Sequence, residues 1–328
     1  MKYAVQNIFQ TLLLNNKRNL SISLIFACVL YIGLVLFSEP YKILDAFSKF
    51  SIFNWLLILG CSLSNYLLRF FRWHYYLSYL RHYIPIYQHF LYYMAGFALT
   101  LTPAKVGETI RSTYLAQHSV PYTQSFAMFF TERFLDLVII ALLSIFILQS
   151  QIANPHQNVN NFVIISIIVI VSFIPLLRQS FVTQFLDYLQ RKTRWLKLQA
   201  LLQHFKQLIS TARDFFTLKA IAIGFIFGAI AWLIQGLAFY FILTTLNVDI
   251  NLQQSIGIYA ISLLAGAISF VPGGIGTTEA VMTLLLSFLG VDSSTAIAAA
   301  LISRLSTLWF AFSLGFIAAT ILSFRKND

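Results

Sequence analysis

Eight ionisable side chains lie within long apolar stretches of the sequence. They are Lys105, Arg111, Arg133 and Arg304, with the acids Glu108, Glu132, Asp136 and Glu279. In a bilayer, an ionised side chain at a helix centre costs about 2.5 to 3.5 kcal/mol, so such groups pair with one another or line a polar pathway for an ion or substrate. Ion pairs that only hold helices together remain the alternative.

One apolar stretch, residues 123–148, carries three of these charges. Inserting Glu132, Arg133 and Asp136 into the bilayer costs about 9 kcal/mol in total. The fifteen Leu, Ile, Val or Phe residues of the stretch favour insertion by roughly 5 to 9 kcal/mol. We therefore expect the stretch to bury its charges against protein partners. Glu132 and Asp136, four residues apart, share a helical face, and a buried acid there could also serve as a general base.

Two further apolar regions are interrupted near their middle by proline and glycine. The first contains "TPAKVGE", with Pro103, Gly107 and Glu108, and the second contains "VPGGIGTTE", with Pro272, Gly276 and Glu279. Proline removes a backbone donor and glycine permits turns, so each region should form two half-helices. Non-helical backbone is tolerated inside a membrane only where it is buried in protein or lines a cavity.

The second interruption has features that suit an anion. Gly273, Gly274 and Gly276 would let the backbone approach a phosphate closely, and Thr277 or Thr278 could cap the half-helix that follows. The N-terminus of that half-helix would present NH groups and the positive end of its dipole.

The composition places all these residues in a membrane protein, because 59% of the 328 residues are apolar, 10% are charged and the mean hydropathy is +0.77. The sequence predicts six full crossings, at about 20–37, 52–69, 123–148, 161–177, 219–246 and 294–323. The interrupted regions, about 85–117 and 252–289, are expected to be re-entrant helical hairpins. The fold class is thus an all-α polytopic membrane protein.

The distribution of basic residues predicts the orientation. With both termini inside, sixteen Lys and Arg residues fall on the cytoplasmic side against two outside, Lys42 and Lys49. Arg69 and Arg72 are assigned to the cytoplasmic end of the second crossing. A basic amphipathic linker, about 178–218, is expected to lie on the cytoplasmic leaflet, where it could meet anionic lipid headgroups.

The two interrupted regions also indicate an inverted repeat. Arg133 follows Pro103 by 30 residues and Arg304 follows Pro272 by 32, while three predicted crossings separate the hairpins, so that they enter from opposite faces. Many transporters have this architecture. We expect one transmembrane domain over 1–328, with repeat one at about 52–148 and repeat two at about 219–323.

Five stretches in this order carry a family resemblance: "LLRFFRWHYYL", "TLTPAKVGETIRSTYL", "SFAMFFTERFLDL", "FVPGGIGTTEA" and "AIAAALISRLSTLW". They resemble the flippase-like transmembrane region of lysylphosphatidylglycerol synthases. The resemblance spans most of the chain. It implies a multi-pass protein of the prokaryotic cell (inner) membrane that moves a lipid or lipid-linked anionic substrate between leaflets.

By matching motifs, the resemblance also implies the substrate-binding residues. They are Pro103, Gly107, Glu108, Arg111, Glu132, Arg133, Asp136, Pro272, Gly273, Gly274, Gly276, Glu279 and Arg304. Ala104 stands where the family often has glycine, which puts a symmetric site in doubt. Members that make lysyl-lipid also carry a soluble aminoacyl-transfer domain, which is not found here, so we expect no enzyme activity.

Other chemistry finds little support in the sequence. The histidines form neither an HExxH motif nor a close pair at helical metal spacing, and the glycines match no nucleotide fingerprint, so we expect no metal and no cofactor. The positive charge is explained by topology, so nucleic acid is not an expected partner. Two alternatives remain: a membrane-embedded transferase acting on a polyprenyl-phosphate or phospholipid headgroup, and a membrane scaffold.

Overall fold

A computed structural model describes residues 39–151, 179–192 and 217–324, with the single residues 33, 199 and 203. The predicted crossings at 20–37 and 161–177 fall outside this part of the chain, except for residue 33, as do most of the 178–218 linker and the C-terminal basic residues. The six-crossing topology and the cytoplasmic position of both termini therefore stay predictions.

The described ranges are helical and contain no β-strand, so the all-α prediction is confirmed there. We number the α-helices in chain order. They are α1 Pro40–Ser48, α2 Ile52–Tyr79, α3 Ile86–Gly96, α4 Arg111–Ala116, α5 Tyr122–Gln151, α6 Gln179–Lys192, α7 Leu218–Thr245, α8 Leu252–Ile268, α9 Thr277–Phe288, α10 Ser293–Arg304 and α11 Phe310–Phe324.

Local sequence signals set several helix starts. Ser51 accepts a hydrogen bond from the backbone NH of Asn54, and Thr217 caps α7 in the same way through Ala220. Asn251 and Gln254 form a reciprocal capping box at the start of α8. Because each side chain satisfies an NH group that has no partner within its helix, these starts depend on nearby residues only.

Length and hydropathy identify membrane-spanning candidates among the described residues. Two helical stretches, Leu218–Thr245 and Ser293–Phe324, are long and apolar enough to cross. Helices α1 and α2 pass the same test only as a pair, and they meet at a bend of 86°.

The second helix is longer than the sequence predicted. The predicted crossing at 52–69 continues as α2 to Tyr79, and both arginines near its middle are buried, with Arg69 4% exposed and Arg72 fully enclosed. Their assignment to the cytoplasmic surface is wrong. No proline or glycine follows Gly60 within α2, so the helix has no reason to stop at residue 69.

Both interrupted regions break where the proline and glycine pattern predicts. In the first, α3 gives way to a 3₁₀ segment at Phe97–Leu99 and a second one at Pro103–Ile110, which continues into α4. In the second, a short 3₁₀ turn, Pro272–Gly274, separates α8 from α9. Their re-entrant topology stays a prediction.

The helices of the two halves pack in a reciprocal pattern. Helix α2 packs along α7, α3 packs against α11, and α5 packs against α8. The two breaks also meet, because Leu101 beside the first and Ile275 beside the second belong to one small apolar cluster with Leu308. The polar groups of both breaks are thereby brought to the centre of the described structure.

Candidate functional site

The centre of the site is a pair of buried carboxylates on one face of α5. Arg72 Nη2 lies 2.8 Å from Asp136 Oδ1 and 3.2 Å from Glu132 Oε1. Arg69 Nη2 lies 3.3 Å from the same Glu132 oxygen, and Trp232 Nε1 donates to Asp136 at 3.1 Å. Helix α2 therefore supplies the arginines that neutralise the carboxylates of α5, and α7 adds a hydrogen-bond donor through Trp232.

Arg111 connects this cluster to the first interruption. Its Nη1 lies 3.3 Å from Glu132 Oε2, and its Nη2 lies 2.8 Å from Glu108 Oε2. The guanidinium is held between the rings of Trp73 and Tyr93, at 4.7 and 4.3 Å from their centroids. Cation–π contacts and two charge-assisted hydrogen bonds fix its position.

Glu108 has further partners from neighbouring elements. Arg133 Nη2 lies 3.4 Å from Glu108 Oε2 and 3.3 Å from Glu132 Oε1, while the hydroxyl of Thr100 donates to Glu108 Oε1 at 3.1 Å. The carboxylate is 1% exposed. Its charge is therefore compensated by arginines from α4 and α5.

Pro103 and Gly107 shape the backbone of this interruption. Pro103 begins the second 3₁₀ segment, and the backbone NH of Gly107 donates to Thr102 Oγ1 at 2.7 Å. A Cβ on Gly107 would lie 2.6 Å from the carbonyl oxygen of Leu99, so a larger residue would push the segment away from its neighbour.

The second interruption is organised around Glu279. One carboxylate oxygen accepts the backbone NH of Gly276 at 2.7 Å, and the other accepts Arg304 Nε at 2.9 Å. Arg304 Nη2 also donates to the carbonyl of Gly273. Glu279 thus satisfies the start of α9, the task that the sequence assigned to Thr277 or Thr278.

The glycines of this turn adopt a backbone that other residues avoid. Gly273, Gly274 and Gly276 have φ values of +62°, +65° and +86°. Pro272 precedes them as the first residue of the 3₁₀ turn. With this geometry the Gly273 carbonyl meets Arg304, which binds the turn to the end of α10.

A small cavity of about 50 Å³, lined by both charged and apolar side chains, lies between the two interruptions. From the first half it is lined by Arg69, Lys105 and Glu108, and from the second by Arg304 and Thr307. Thr307 lies in a π-helical stretch, Leu305–Trp309, that interrupts the membrane-spanning candidate Ser293–Phe324 directly after Arg304. Such bulges are frequent at functional sites.

Of the charged residues Glu108, Arg133, Glu279 and Arg304, only Glu108 and Arg304 line this cavity. Glu279 instead lines a groove of about 570 Å³ with mostly apolar walls, among them Val271, Leu284 and Ile297. Arg133 lines neither space. The Glu279–Arg304 ion pair lies between the two spaces, since Glu279 lines the groove and Arg304 lines the cavity.

Sequence analysis missed several contributors to the site. Arg69 and Arg72 were assigned to the cytoplasmic end of the second crossing, and Lys105 was noted only as an intramembrane charge. One signal was available: two arginines three residues apart are the complement of carboxylates four residues apart, since both pairs occupy one helical face. The partners Trp232 and Tyr93 have no sequence signature.

Two histidines meet in the structure. His74 and His89, 15 residues apart in the sequence, approach within 2.8 Å between their Nδ1 atoms. Within the described ranges, no group of three or more His, Cys, Asp or Glu side chains could hold a metal ion.

Comparison with known proteins gives the family. A family model described as the lysylphosphatidylglycerol synthase TM region matches residues 21–315. A UPF0104 membrane protein of Methanocaldococcus jannaschii is 27% identical over 242 residues, covering 71% of this chain and 99% of that protein. The family resemblance stated from the motifs is confirmed.

Other relatives match over shorter stretches. Alignments to UPF0104 membrane proteins of Methanothermobacter thermautotrophicus, 30% and 29% identical, span 26% and 34% of those relatives' length. A phosphatidylglycerol lysyltransferase of Bacillus subtilis is 28% identical over 90 residues, which is 27% of this chain and 10% of that enzyme.

These comparisons overturn one prediction. We expected a protein without enzyme activity, yet the matching family is described as part of a synthase, and further relatives, such as one from Staphylococcus haemolyticus, are named phosphatidylglycerol lysyltransferases. The family is therefore one that includes enzymes, and the expectation is wrong.

Proposed function

The chain belongs to the family of the lysylphosphatidylglycerol synthase transmembrane region, and on that premise we propose that it binds a lipid with an anionic headgroup within the membrane and moves it between the leaflets. The membrane would be the prokaryotic cell (inner) membrane. Relatives named for phosphatidylglycerol make a phospholipid or another lipid-linked anion the expected class of substrate.

The observation that carries this proposal is the cavity between the two interruptions. Its lining includes Arg69, Lys105 and Arg304 but only one carboxylate, that of Glu108. Preformed cationic donors in a space of low dielectric constant favour an anion strongly, because water does not screen the interaction. A phosphate can accept two parallel NH donors from one arginine.

Movement of the headgroup would require Arg304 to exchange partners. In the structure Arg304 is held by Glu279 and by the Gly273 carbonyl, and all three groups lie in or beside an interrupted helix. A phosphate entering the cavity competes with Glu279 for the guanidinium. The π-helical stretch after Arg304 offers a place where the last crossing could bend.

The packing of the helices supports the inverted repeat on which alternating access would depend. If α2, α3 and α5 correspond to α7, α8 and α11, the contact of α3 with α11 becomes the contact of α8 with α5. The contact of α2 with α7 maps onto itself. This is the pattern that a two-fold relation between the halves produces, and repeats of this kind carry sites near the midplane.

A membrane-embedded transferase is the second candidate, and the names of the lysyltransferase relatives favour it. Such an enzyme would use the same cavity to hold a lipid headgroup while a group is attached to it. The two candidates differ in the product: transport leaves the lipid unchanged, whereas transfer alters its mass.

The test is leaflet exchange in liposomes that contain the purified protein. Fluorescent phosphatidic acid, phosphatidylglycerol and phosphatidylcholine with matched acyl chains are reconstituted, and an impermeant quencher reports the outer leaflet over time. We expect faster exchange of an anionic lipid, and its loss in Arg304→Ala. Arg304→Lys should rescue only partly, because a point charge cannot reproduce the bidentate fork.

Two further variants guard against misfolding and non-specific effects. Arg304→Met combined with Glu279→Gln removes both charges of a buried pair, so the protein should fold and still fail to move lipid. Arg191→Ala removes an exposed arginine from the last turn of α6 and should exchange lipid at the wild-type rate. Wild-type exchange by Arg304→Ala would refute the site, and a covalently altered lipid in mass spectra would favour the transferase.

A further inference from the structure

Lys105 has a backbone conformation that lysine rarely adopts. Its φ is +55°, in the left-handed region that favours glycine. Counted from the proline of each interruption, Lys105 occupies the position of Gly274, whose φ is +65°. At this position the second interruption has glycine, which adopts a positive φ without strain. The first interruption has lysine, whose backbone is strained in this conformation.

Strained residues persist where the surrounding structure holds them, and they cluster at ligand sites. Here the side chain explains the choice, because Lys105 lines the cavity together with Arg69, Glu108 and Arg304. In the described part of the chain, Lys105 takes no part in an ion pair of the kind that holds the four buried arginines and the half-buried Arg133. Its charge therefore has no fixed partner.

The charges of the whole cluster do not balance. The cations are Arg69, Arg72, Lys105, Arg111, Arg133 and Arg304, and the carboxylates are Glu108, Glu132, Asp136 and Glu279. Among the described residues that enclose the site, six positive groups thus face four negative ones. An excess of two positive charges remains in a region where unpaired charge is strongly disfavoured.

We infer that Lys105 contacts the substrate headgroup and that the cavity selects a headgroup carrying two negative charges, namely a lipid phosphomonoester. This inference rests on the proposed lipid-binding function and narrows its substrate class. A phosphomonoester carries about −1.5 to −2 at neutral pH and offers three acceptor oxygens. A phosphodiester such as phosphatidylglycerol carries a single charge and would leave one buried cation without compensation.

The size of the cavity agrees with a phosphate group. About 50 Å³ would hold only a few water molecules, since one water needs about 10 to 15 Å³ of such volume. The charged phosphate end of the lipid is thus the part that the cavity accommodates.

The test compares binding of phosphatidic acid and phosphatidylglycerol with matched acyl chains to the full chain in nanodiscs made of phosphatidylcholine. We expect wild type to bind the phosphomonoester at least about tenfold more tightly. Lys105→Asn keeps a residue that tolerates positive φ but removes the charge, and should reduce this preference to about twofold or less. Lys105→Arg keeps the charge and should retain most of the preference.

Lys105→Gly provides the folding control, because glycine relieves the backbone strain while removing the charge. It should unfold at the same or a higher temperature than wild type, yet lose the preference for the phosphomonoester. Equal binding of the two lipids by wild type, or an unchanged preference in Lys105→Asn, would overturn the inference even if leaflet exchange occurs.

Two experimental outcomes would distinguish failure of the proposed function from failure of this inference. If phosphatidic acid binds preferentially but no lipid changes leaflet, the charge selection holds and transport fails. If inorganic phosphate competes as effectively as the lipid at equal concentration, charge selection again holds, but the ligand is a free phosphate and the lipid function is refuted.

Discussion

At the scale of single residues, the site depends on one buried carboxylate more than on any other. Glu132 accepts from Arg69, Arg72, Arg111 and the hydroxyl of Tyr93, so four side chains from three helices meet on it. Breaking a buried network by removing one partner is costly, since the remaining charges lose compensation without regaining water.

We predict that Glu132→Gln lowers the free energy of unfolding by about 3 to 5 kcal/mol, because the arginines around it keep their charges. Denaturant unfolding in detergent micelles measures the change. Glu39→Gln is the matched control: Glu39 pairs at 2.9 Å with Lys42 but is 65% exposed, so its loss should cost less than about 1 kcal/mol. Equal costs for the two variants would contradict the network.

At the scale of elements, the interrupted helices derive their shape from close backbone approach. Gly107 lies against Leu99 and Thr102, so the 3₁₀ segment folds back on the chain that precedes it. This contact fixes where Glu108, the next residue, presents its carboxylate. A displacement of the segment would therefore reach the ion pairs directly.

Gly107→Ala should destabilise the protein by about 1 to 3 kcal/mol, since its Cβ would lie 2.6 Å from the Leu99 carbonyl oxygen and something must move. It should also slow leaflet exchange. Gly60→Ala is the control, because no atom lies within 4 Å of the added Cβ in the middle of α2. Thermal unfolding measures the first effect and the liposome assay the second. If Gly107→Ala changed neither the unfolding temperature nor the rate of leaflet exchange, the turn would not be tightly packed.

At the scale of the whole molecule, orientation in the membrane follows from charge. The predicted cytoplasmic side carries fourteen basic residues against two outside when the buried Arg69 and Arg72 are left out. Residue 158 is predicted to face outward, and Lys192, at the end of α6, to face the cytoplasm. The inverted repeat depends on this arrangement, because the two interrupted regions must enter from opposite faces.

Cysteines placed at Asn158 and Lys192, after Cys28 and Cys61 are replaced by alanine, should react differently with an impermeant thiol reagent. On intact cells only the cysteine at position 158 should be labelled, and lysis should expose the one at 192. Labelling of both sites on intact cells would remove the argument for opposite entry.

Much of the local structure was accessible from the sequence. The apolar composition required a helical membrane protein, since only helices or closed barrels satisfy their backbone in lipid. Pro103 and Pro272 marked both breaks, because a missing NH group acts within one helical turn. The charged residues of α5 were correctly expected to find protein partners, since lipid offers none.

The tertiary structure decided which partners those residues found. Helical periodicity predicts that Arg69 and Arg72 share a face of α2. It does not predict that this face contacts Glu132, which lies some 60 residues later in the chain. Likewise, no sequence pattern indicates that the Glu279–Arg304 ion pair lies between the cavity, which Arg304 lines, and the apolar groove, which Glu279 lines. Local sequence fixes backbone breaks because their energies are local, whereas the partner of a buried charge depends on how distant helices pack.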